Sequence, residues 1–513
     1  MLSFPLRLQT TVPLIYHIYK RDYSLDNTRK FRECLQNLSW TDIYMENDAN
    51  KAFTSFHELV CLLHKLCFPK VRVKINLNTK IKQTWISKGL KQSSKTKRFL
   101  RYKYYKNKNI LNKNKYITYS KLLQKCIHNA KRNANIKFMN NNDNKCKAAW
   151  TVIRNEIHNT DLKNNIEHIK THDNTTLTEP AEIASVFNKH FTNYIPTQNC
   201  INSCRSDTLT ANSMFLIPIS DNEVRKQILS LNNTNSEGYD ELNTLIIKTC
   251  INEISGVLTY LINLSFSQGV FPNALKISVV KPIFKKGEKC DMNNYRPITL
   301  IPIMSKIYEK CMNQRIVDYC EKFSIIKEAQ FGFQKHKSTS LAIFSLLRSI
   351  LTSINNKLLT TGLFFDLSKA FDLVSHKILL LKLEGLGIRG LPLDWISSYL
   401  TNRQQHVTIT KLDENREMIN YTSEYINITR GVPQGSILGP ILFLLYINDI
   451  VKITNHKCFL FADDISIIVT TDKKYKTITD HEADINNTIN DLTQWLNNNN
   501  LSINLNKSVY NTI

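Results

Sequence analysis

Acidic residues are almost missing from one stretch of this 513-residue chain. Residues 61 to 150 contain 24 Lys or Arg and a single acid, Asp143, a local charge of +23 out of a formal +25 for the whole chain. The remainder carries 44 basic and 42 acidic residues and is nearly balanced. Glycine and proline are scarce, at 13 each, which excludes a collagen-like or Gly/Pro-rich disordered chain. No run of 18 apolar residues occurs, so no membrane-spanning helix and no membrane partner is expected. The N-terminus, MLSFPLRLQTTVPLIYHIYKRD, lacks the apolar core and small-residue cleavage site of a signal peptide. Twelve cysteines include no CxxC, and the nearest pair, Cys200 and Cys204, has no second Cys or His pair at zinc-finger spacing. A soluble intracellular protein with reduced thiols is expected.

With 42% hydrophobic and 22% charged residues the composition is globular, and at roughly 150 residues per domain it predicts about three domains. The cationic stretch suits a polyanion, because lysines that neutralise phosphates release condensed counterions. A membrane surface, a solvated linker, or codon drift toward Lys and Asn would leave the same composition. Lys97, Arg98, Arg101 and Lys103 interleave with Tyr102, Tyr104 and Tyr105, rings that either stack on bases or pack half-buried against a neighbouring helix.

Five regions follow from the texture: 1–60 without a defensible site, 61–175 basic and helical, 176–270 helical, 271–350, and 351–513. A low-complexity bridge, 199–213, interrupts the third, whose last helix should stop at Gly269 with Pro272 beyond. From about 277, short apolar strands alternate with helices around a turn at Lys286-Gly287. An α+β fold with an antiparallel central sheet is expected.

Two apolar runs flank adjacent aspartates in CFLFADDISIIV (458–469), the pattern of a buried hairpin whose turn carries Asp463 and Asp464. An Asp-Asp turn can be simply a turn, yet like charges beside a core are costly unless cations neutralise them. A second strand, TGLFFD, ends at Asp366, with a helix expected to follow that carries Phe371, Val374, Ile378 and Leu381 on one stripe. Asp366 is then either the cap of that helix or the partner of Asp463. If the strands are neighbours, the carboxylates can hold two Mg²⁺ or Mn²⁺ ions about 4 Å apart. Between them RGVPQGSILGP (430–440) concentrates Gly431, Gly435 and Gly439, which suggests close backbone approach to a substrate.

In this order, FFDLSKAFD, GVPQGSILGP and FADD resemble the reverse transcriptase of non-LTR, LINE-type retrotransposons, nearest the jockey-like group of insects. Residues 271–310, 329–343 and 495–508 resemble further motifs of that family, so the likeness covers about 250 residues. It implies a right-hand polymerase, with fingers at 271–350 and palm at 351–513, preceded by a basic helical extension whose Lys97, Arg98, Arg101 and Lys103 bind nucleic acid. It implies Asp366, Asp463 and Asp464 as catalytic metal ligands and Phe371 as a gate against the ribose 2′-OH. Gln434 and Gly435 would lie against nucleotide and template. Arg296, with Lys281, Lys285 and Lys286 near it, would grip the triphosphate, and Lys507 would protonate pyrophosphate. His376 fits the family pattern and equally an ordinary helix histidine.

The implied partners are an RNA template, a DNA primer and dNTPs, and the implied compartments are cytoplasm and nucleus. Oligomeric state is not addressed by these motifs. Gln334 and His336-Lys337 depart from the family's usual Arg and Gly-His, which predicts one weaker phosphate contact. The family's endonuclease and thumb have no counterpart among these residues. A relic that only binds nucleic acid, and an RNA-templated RNA polymerase, are the rival expectations.

Overall fold

The computed structural model describes residues 15–76, 85–142, 144–157, 166–171, 173, 175–193, 210–234, 236–472, 474 and 477–512. Asp143, Cys200, Cys204 and most of the 199–213 bridge lie outside them. The chain divides into two compact units: Tyr19–Val71 with Ile166–Lys411 and Ile419–Ile513, and Met1–Ile18 with Arg72–Asn165 and Leu412–Met418. Mixed helix and sheet characterise the first, helices the second.

The larger unit holds a five-stranded mixed sheet and a four-stranded antiparallel one. In the first, Ile277–Phe284 runs antiparallel to Tyr295–Leu300 and parallel to Arg403–Leu412, which also pairs with Met418–Thr422 and Ile426–Ile428. In the second, the order is Lys457–Phe461, Asp464–Thr471, Leu359–Asp366, Val509–Thr512. The two middle strands carry consecutive buried residues, Thr360 to Leu363 in one and Ile467 to Val469 in the other, which is why they do not read as alternating.

Helix Ile251–Gln268 turns Ile254, Leu258, Leu261, Ile262 and Phe266 inward and ends at Gly269, whose φ of +65° closes it where the Gly-then-Pro signal placed the stop. Beside it Trp395 is fully buried, donates Nε1–H to Ser265 Oγ at 2.8 Å and stands edge-on to Phe266 and Phe271. Truncating such an anchor costs about 3–5 kcal/mol.

Two expectations change. Residues 1–60 gave no structural signal, yet helices Leu25–Gln36 and Ala49–Cys67 send Phe31, Leu35, Phe53, Phe56 and Val60 into the same core as the four-stranded sheet. A boundary at 61 would cut the second of these helices in half. The helix expected directly after Asp366 instead begins at His376. Its cap is Ser375, whose Oγ accepts from Ile378 N–H, while Lys369 at φ +47° and the Asp372 N–H to Lys369 C=O bond hold 367–375 in turns. Asp366 is therefore no helix cap, and Leu381 is 37% exposed, off the buried stripe.

In the smaller unit three helices follow one another, Lys88–Asn107, Ile110–Asn140 and Lys145–Ile157. No Gly or Pro occurs from 90 to 179 to break them. Ser87 caps the first by accepting from Leu90 N–H, and Asn109 caps the second by accepting from Leu111 N–H. The first buries no residue and the second only Leu123. No described helix is long and apolar enough to cross a membrane.

Candidate active site

The Asp463-Asp464 hairpin closes through Ala462-Asp463, with Phe461 paired to Asp464 and Ala462 at φ +56°. Across the ladder Asp464 lies directly opposite Asp366. Opposite residues project to the same side of an antiparallel pair, with Cβ atoms about 5 Å apart, so the register brings these two carboxylates to one edge of the sheet beside Asp463. Burial, then the charges of Asp463 and Asp366, push the Asp464 carboxyl up, and Lys507 pulls it back. Crowded like charges of this kind favour a cation, and an all-oxygen donor set suits a hard divalent ion. Among the described residues no three His, Cys, Asp or Glu are grouped closely enough to hold a metal unaided.

The segment 502–508 runs past the end of the Asp366 strand. Ser368 N–H donates to Ser502 C=O, and Asn504 N–H donates to Asp366 C=O at 2.8 Å. On the side chain, Asp366 Oδ2 accepts from Lys507 Nζ at 2.5 Å and from Asn504 Nδ2 at 3.0 Å. Lys507 thus pairs with the acidic group, and Asn504 is a neighbour the motifs did not suggest. A cationic face completes the surroundings: Lys285 is held below the usual lysine range by partial burial and by Arg296, Lys507 and Lys286, with Asp366 opposing. Arg296 lies on the exposed part of Tyr295–Leu300, and Lys281 is paired in register with Ile298.

Phe371 is half-buried, stacked on Phe443 at 4.6 Å between centroids and edge-on to Phe333 at 6.2 Å. Next to it, Asp372 accepts from Gln434 Nε2 through both oxygens, at 2.8 and 2.9 Å. Burial raises the Asp372 carboxyl to about 6, against the Gln434 bond and Lys369. Asp372 was missed, although it is the second acid of FFDLSKAFD. The glycines of 430–440 have a simpler cause than substrate approach. Gly431, at φ +81°, would push a Cβ to 2.7 Å from Asp372 C=O, and Gly435, at φ +113°, to 2.9 Å from Thr299 C=O. The chain's own backbone demands them there. Buried Glu309 fixes the helix that follows, its Oε2 accepting from Ile437 and Leu438 N–H. His376 behaves as a helix histidine whose Nε2 meets Gly431 C=O at 2.7 Å.

The hairpin is braced from outside by 329–332. Leu460 N–H donates to Ala329 C=O and Phe331 N–H to Leu460 C=O, while buried Gln330 accepts from Ala462 and Gly332 N–H through Oε1. Gln334 Nε2 and Lys337 Nζ both donate to Gln330 C=O, so these departures from the family pattern serve the brace. Lys97, Arg98, Arg101 and Lys103 belong to the smaller unit, on the first of its three helices. There Arg101 lies over Tyr105 and Lys103 over Phe99, with Tyr102 and Tyr105 each 61% exposed and Tyr104 half-buried.

Comparison with known proteins points the same way as this geometry. The family described as "Reverse transcriptase (RNA-dependent DNA polymerase)" matches residues 283–512. The chain is 29% identical over 306 residues to the "Probable RNA-directed DNA polymerase from transposon X-element" of Drosophila melanogaster, covering 58% of this chain and 32% of that protein. It is 27% identical over 347 residues to the "RNA-directed DNA polymerase from mobile element jockey" of the same species, covering 65% and 36%. A "Retrovirus-related Pol polyprotein from type-1 retrotransposable element R1" of Bradysia coprophila is 27% identical over 211 residues, 39% of this chain and 19% of that one. The chain spans about a third of the length of the first two relatives. Residues 283–512 thus match the reverse transcriptase family, and the relatives that resemble the chain are polymerases of transposons and mobile elements.

Proposed function

We propose that this chain is an RNA-directed DNA polymerase with a right-hand palm and fingers, extending a DNA primer on an RNA template with dNTPs. The observation that carries this is the register placing Asp366 opposite Asp464, beside Asp463, with Lys507, Lys285 and Arg296 charged around them. The primer 3′-OH attacks the α-phosphate in line, the bond to the β-phosphate oxygen breaks, and pyrophosphate leaves. Bound Mg²⁺ or Mn²⁺ supplies positive charge for the attacking and leaving oxygens. Asp366, Asp463 and Asp464 would hold it, with substrate phosphate oxygens completing a donor set that the three carboxylates do not make unaided.

Arg296 and Lys285 bind the polyphosphate as charge-assisted donors. Lys507, whose Nζ donates to Asp366 Oδ2 at 2.5 Å, gives its proton to the departing pyrophosphate in this reading. Phe371, held between Phe443 and Phe333, acts as the gate against the sugar 2′-OH, and Gln434, its amide N–H held by Asp372, lies against nucleotide and template. Lys97, Arg98, Arg101 and Lys103 hold nucleic acid from the smaller unit. Cytoplasm and nucleus are the proposed compartments.

Primer extension on an RNA template, with dNTPs or rNTPs, tests this reading. Wild type should incorporate dNTPs, and Phe371→Ala should accept rNTPs at least tenfold better relative to dNTPs. Equal use of both by wild type would contradict the deoxynucleotide assignment.

A further inference from the structure

Phe333 stands where neither backbone nor burial favours a phenylalanine. Its φ is +52°, a left-handed conformation that strains a bulky residue, and it is 59% exposed. Glycine would hold the same turn without strain. The residues around it are fixed independently of its ring. Gly332 has no room for a Cβ, which would lie 2.4 Å from Ala462 N, and its N–H donates to Gln330 Oε1. Gln334 Nε2 and Lys337 Nζ both donate to Gln330 C=O, so the loop is shaped by its bonds to Gln330 and by the Asp463-Asp464 hairpin beside it.

The Phe333 ring meets Phe371 edge-on, at 6.2 Å between centroids and 86° between planes. Phe371 has a second ring neighbour of a different kind. Phe443, stacked on it at 4.6 Å, is fully buried in helix Leu438–Tyr446, whose first N–H groups Glu309 holds. The Phe371 backbone is tied as well, its C=O accepting from Val432 N–H at 2.9 Å. One wall of the Phe371 ring is therefore packed core, and the other is an exposed ring on a strained loop.

We propose that Phe333 is a positioning residue for deoxynucleotide selection, a role that rests on the polymerase reading and on Phe371 as its gate. A ribonucleotide presses its 2′-OH against Phe371, and the ring can yield only where its surroundings yield. Close-packed Phe443 does not give way. Displacement is left to the exposed side, where the edge of Phe333 closes the route. Strain stored at a functional position accounts for a phenylalanine where glycine would fit more easily. Gln330 ties this wall to the carboxylates, since its Oε1 accepts both from Gly332 N–H and from Ala462 N–H beside Asp463.

The experiment is primer extension by the full chain with one dNTP or the matching rNTP, which gives kcat/KM for each and their ratio. Phe333→Ala should raise rNTP use relative to dNTP about fivefold, the scale of one aromatic pair. Phe333→Tyr keeps the ring and should keep the wild-type ratio. Phe333→Gly should lose as much selectivity as Phe333→Ala without the left-handed strain, so a loss shared by both belongs to the ring and not to a distorted loop. Adding Phe333→Ala to Phe371→Ala should change the ratio no further, because Phe333 acts only through the gate. Thermal melting reports whether each variant folds, and Phe333→Gly carries the comparison if Phe333→Ala does not. A wild-type ratio in the folded variants would overturn the role, even with both rates lowered together, as a merely structural ring would lower them. So would a further change in the double variant, which would make Phe333 a direct substrate contact. No incorporation of either nucleotide by wild type would remove the polymerase reading and this role with it, a result distinct from an active enzyme whose ratio does not move.

Discussion

The two units of this chain use charge in opposite ways. The smaller one spreads lysines and arginines over helices that bury almost nothing, a few of them, such as Arg101 and Lys103, resting on neighbouring rings. The larger one is nearly neutral by count, yet it sets three carboxylates at one sheet edge and fixes the Asp366 side chain with Lys507 and Asn504. Charge in the first acts as a field that falls off with salt. In the second it acts as geometry, which depends on register and on neighbours more than a hundred residues away in sequence.

Substitutions that separate field from geometry test the contrast. Asp366→Ala should reduce synthesis at least about a thousandfold, as expected when transition-state charge loses its holder. RNA affinity should be unchanged, and the melting temperature should hardly move, because the Lys507 partner is 44% exposed. Replacing Lys97, Arg98, Arg101 and Lys103 together with Gln should weaken RNA binding by roughly ten- to fiftyfold at low salt. The slope of log affinity against log salt should fall by up to about 3, from four contacts at about 0.7 each. Melting should again be unaffected, since that helix buries nothing; a loss of stability would show these cations to be structural.

Smaller effects probe the brace. Gln330→Ala removes the acceptor shared by Ala462 and Gly332 N–H, leaving donors beside the hairpin unmade. It should cut the rate about tenfold with little change in KM, and lower stability by about 1–3 kcal/mol. The least change is a pH effect at Asp372. Its carboxyl is raised to about 6, so the folded state holds its proton more tightly than the unfolded chain does. Stability from this group is therefore fully present below the unfolded pKa and declines as pH rises toward about 6, after which it is flat. In paired melts, Asp372→Asn should gain relative to wild type between pH 4 and 7; a constant difference would contradict the raised carboxyl.

The parts of the site that were legible in sequence are those encoded by adjacent residues. Asp463-Asp464 between apolar runs, the strand ending at Asp366, and the Gly269 stop are short-range patterns whose physics acts within a few residues. Gln330, Asn504 and Glu309 were not legible, because each acts on a segment at least 128 residues away: Gln330 on Ala462, Asn504 on Asp366, Glu309 on Ile437. Nothing in the local pattern of a glutamine inside AQFGF announces that it will hold a distant turn. Periodicity misled after Asp366, where apolar residues at helical spacing lie in turns held by Lys369 and stopped by the Ser375 cap. The glycines of 431–439 drew a substrate explanation because the Asp372 and Thr299 carbonyls that require them come from elsewhere in the chain.

The central claim is that the Asp366, Asp463 and Asp464 edge performs nucleotidyl transfer. Incorporation of a labelled dNTP on an RNA template with Mg²⁺ or Mn²⁺, wild type beside Asp463→Ala, tests it most directly. Extended primer is expected from wild type and none above background from the variant, with equal RNA affinity in both. Equal product from the two proteins, or none from either, would contradict it.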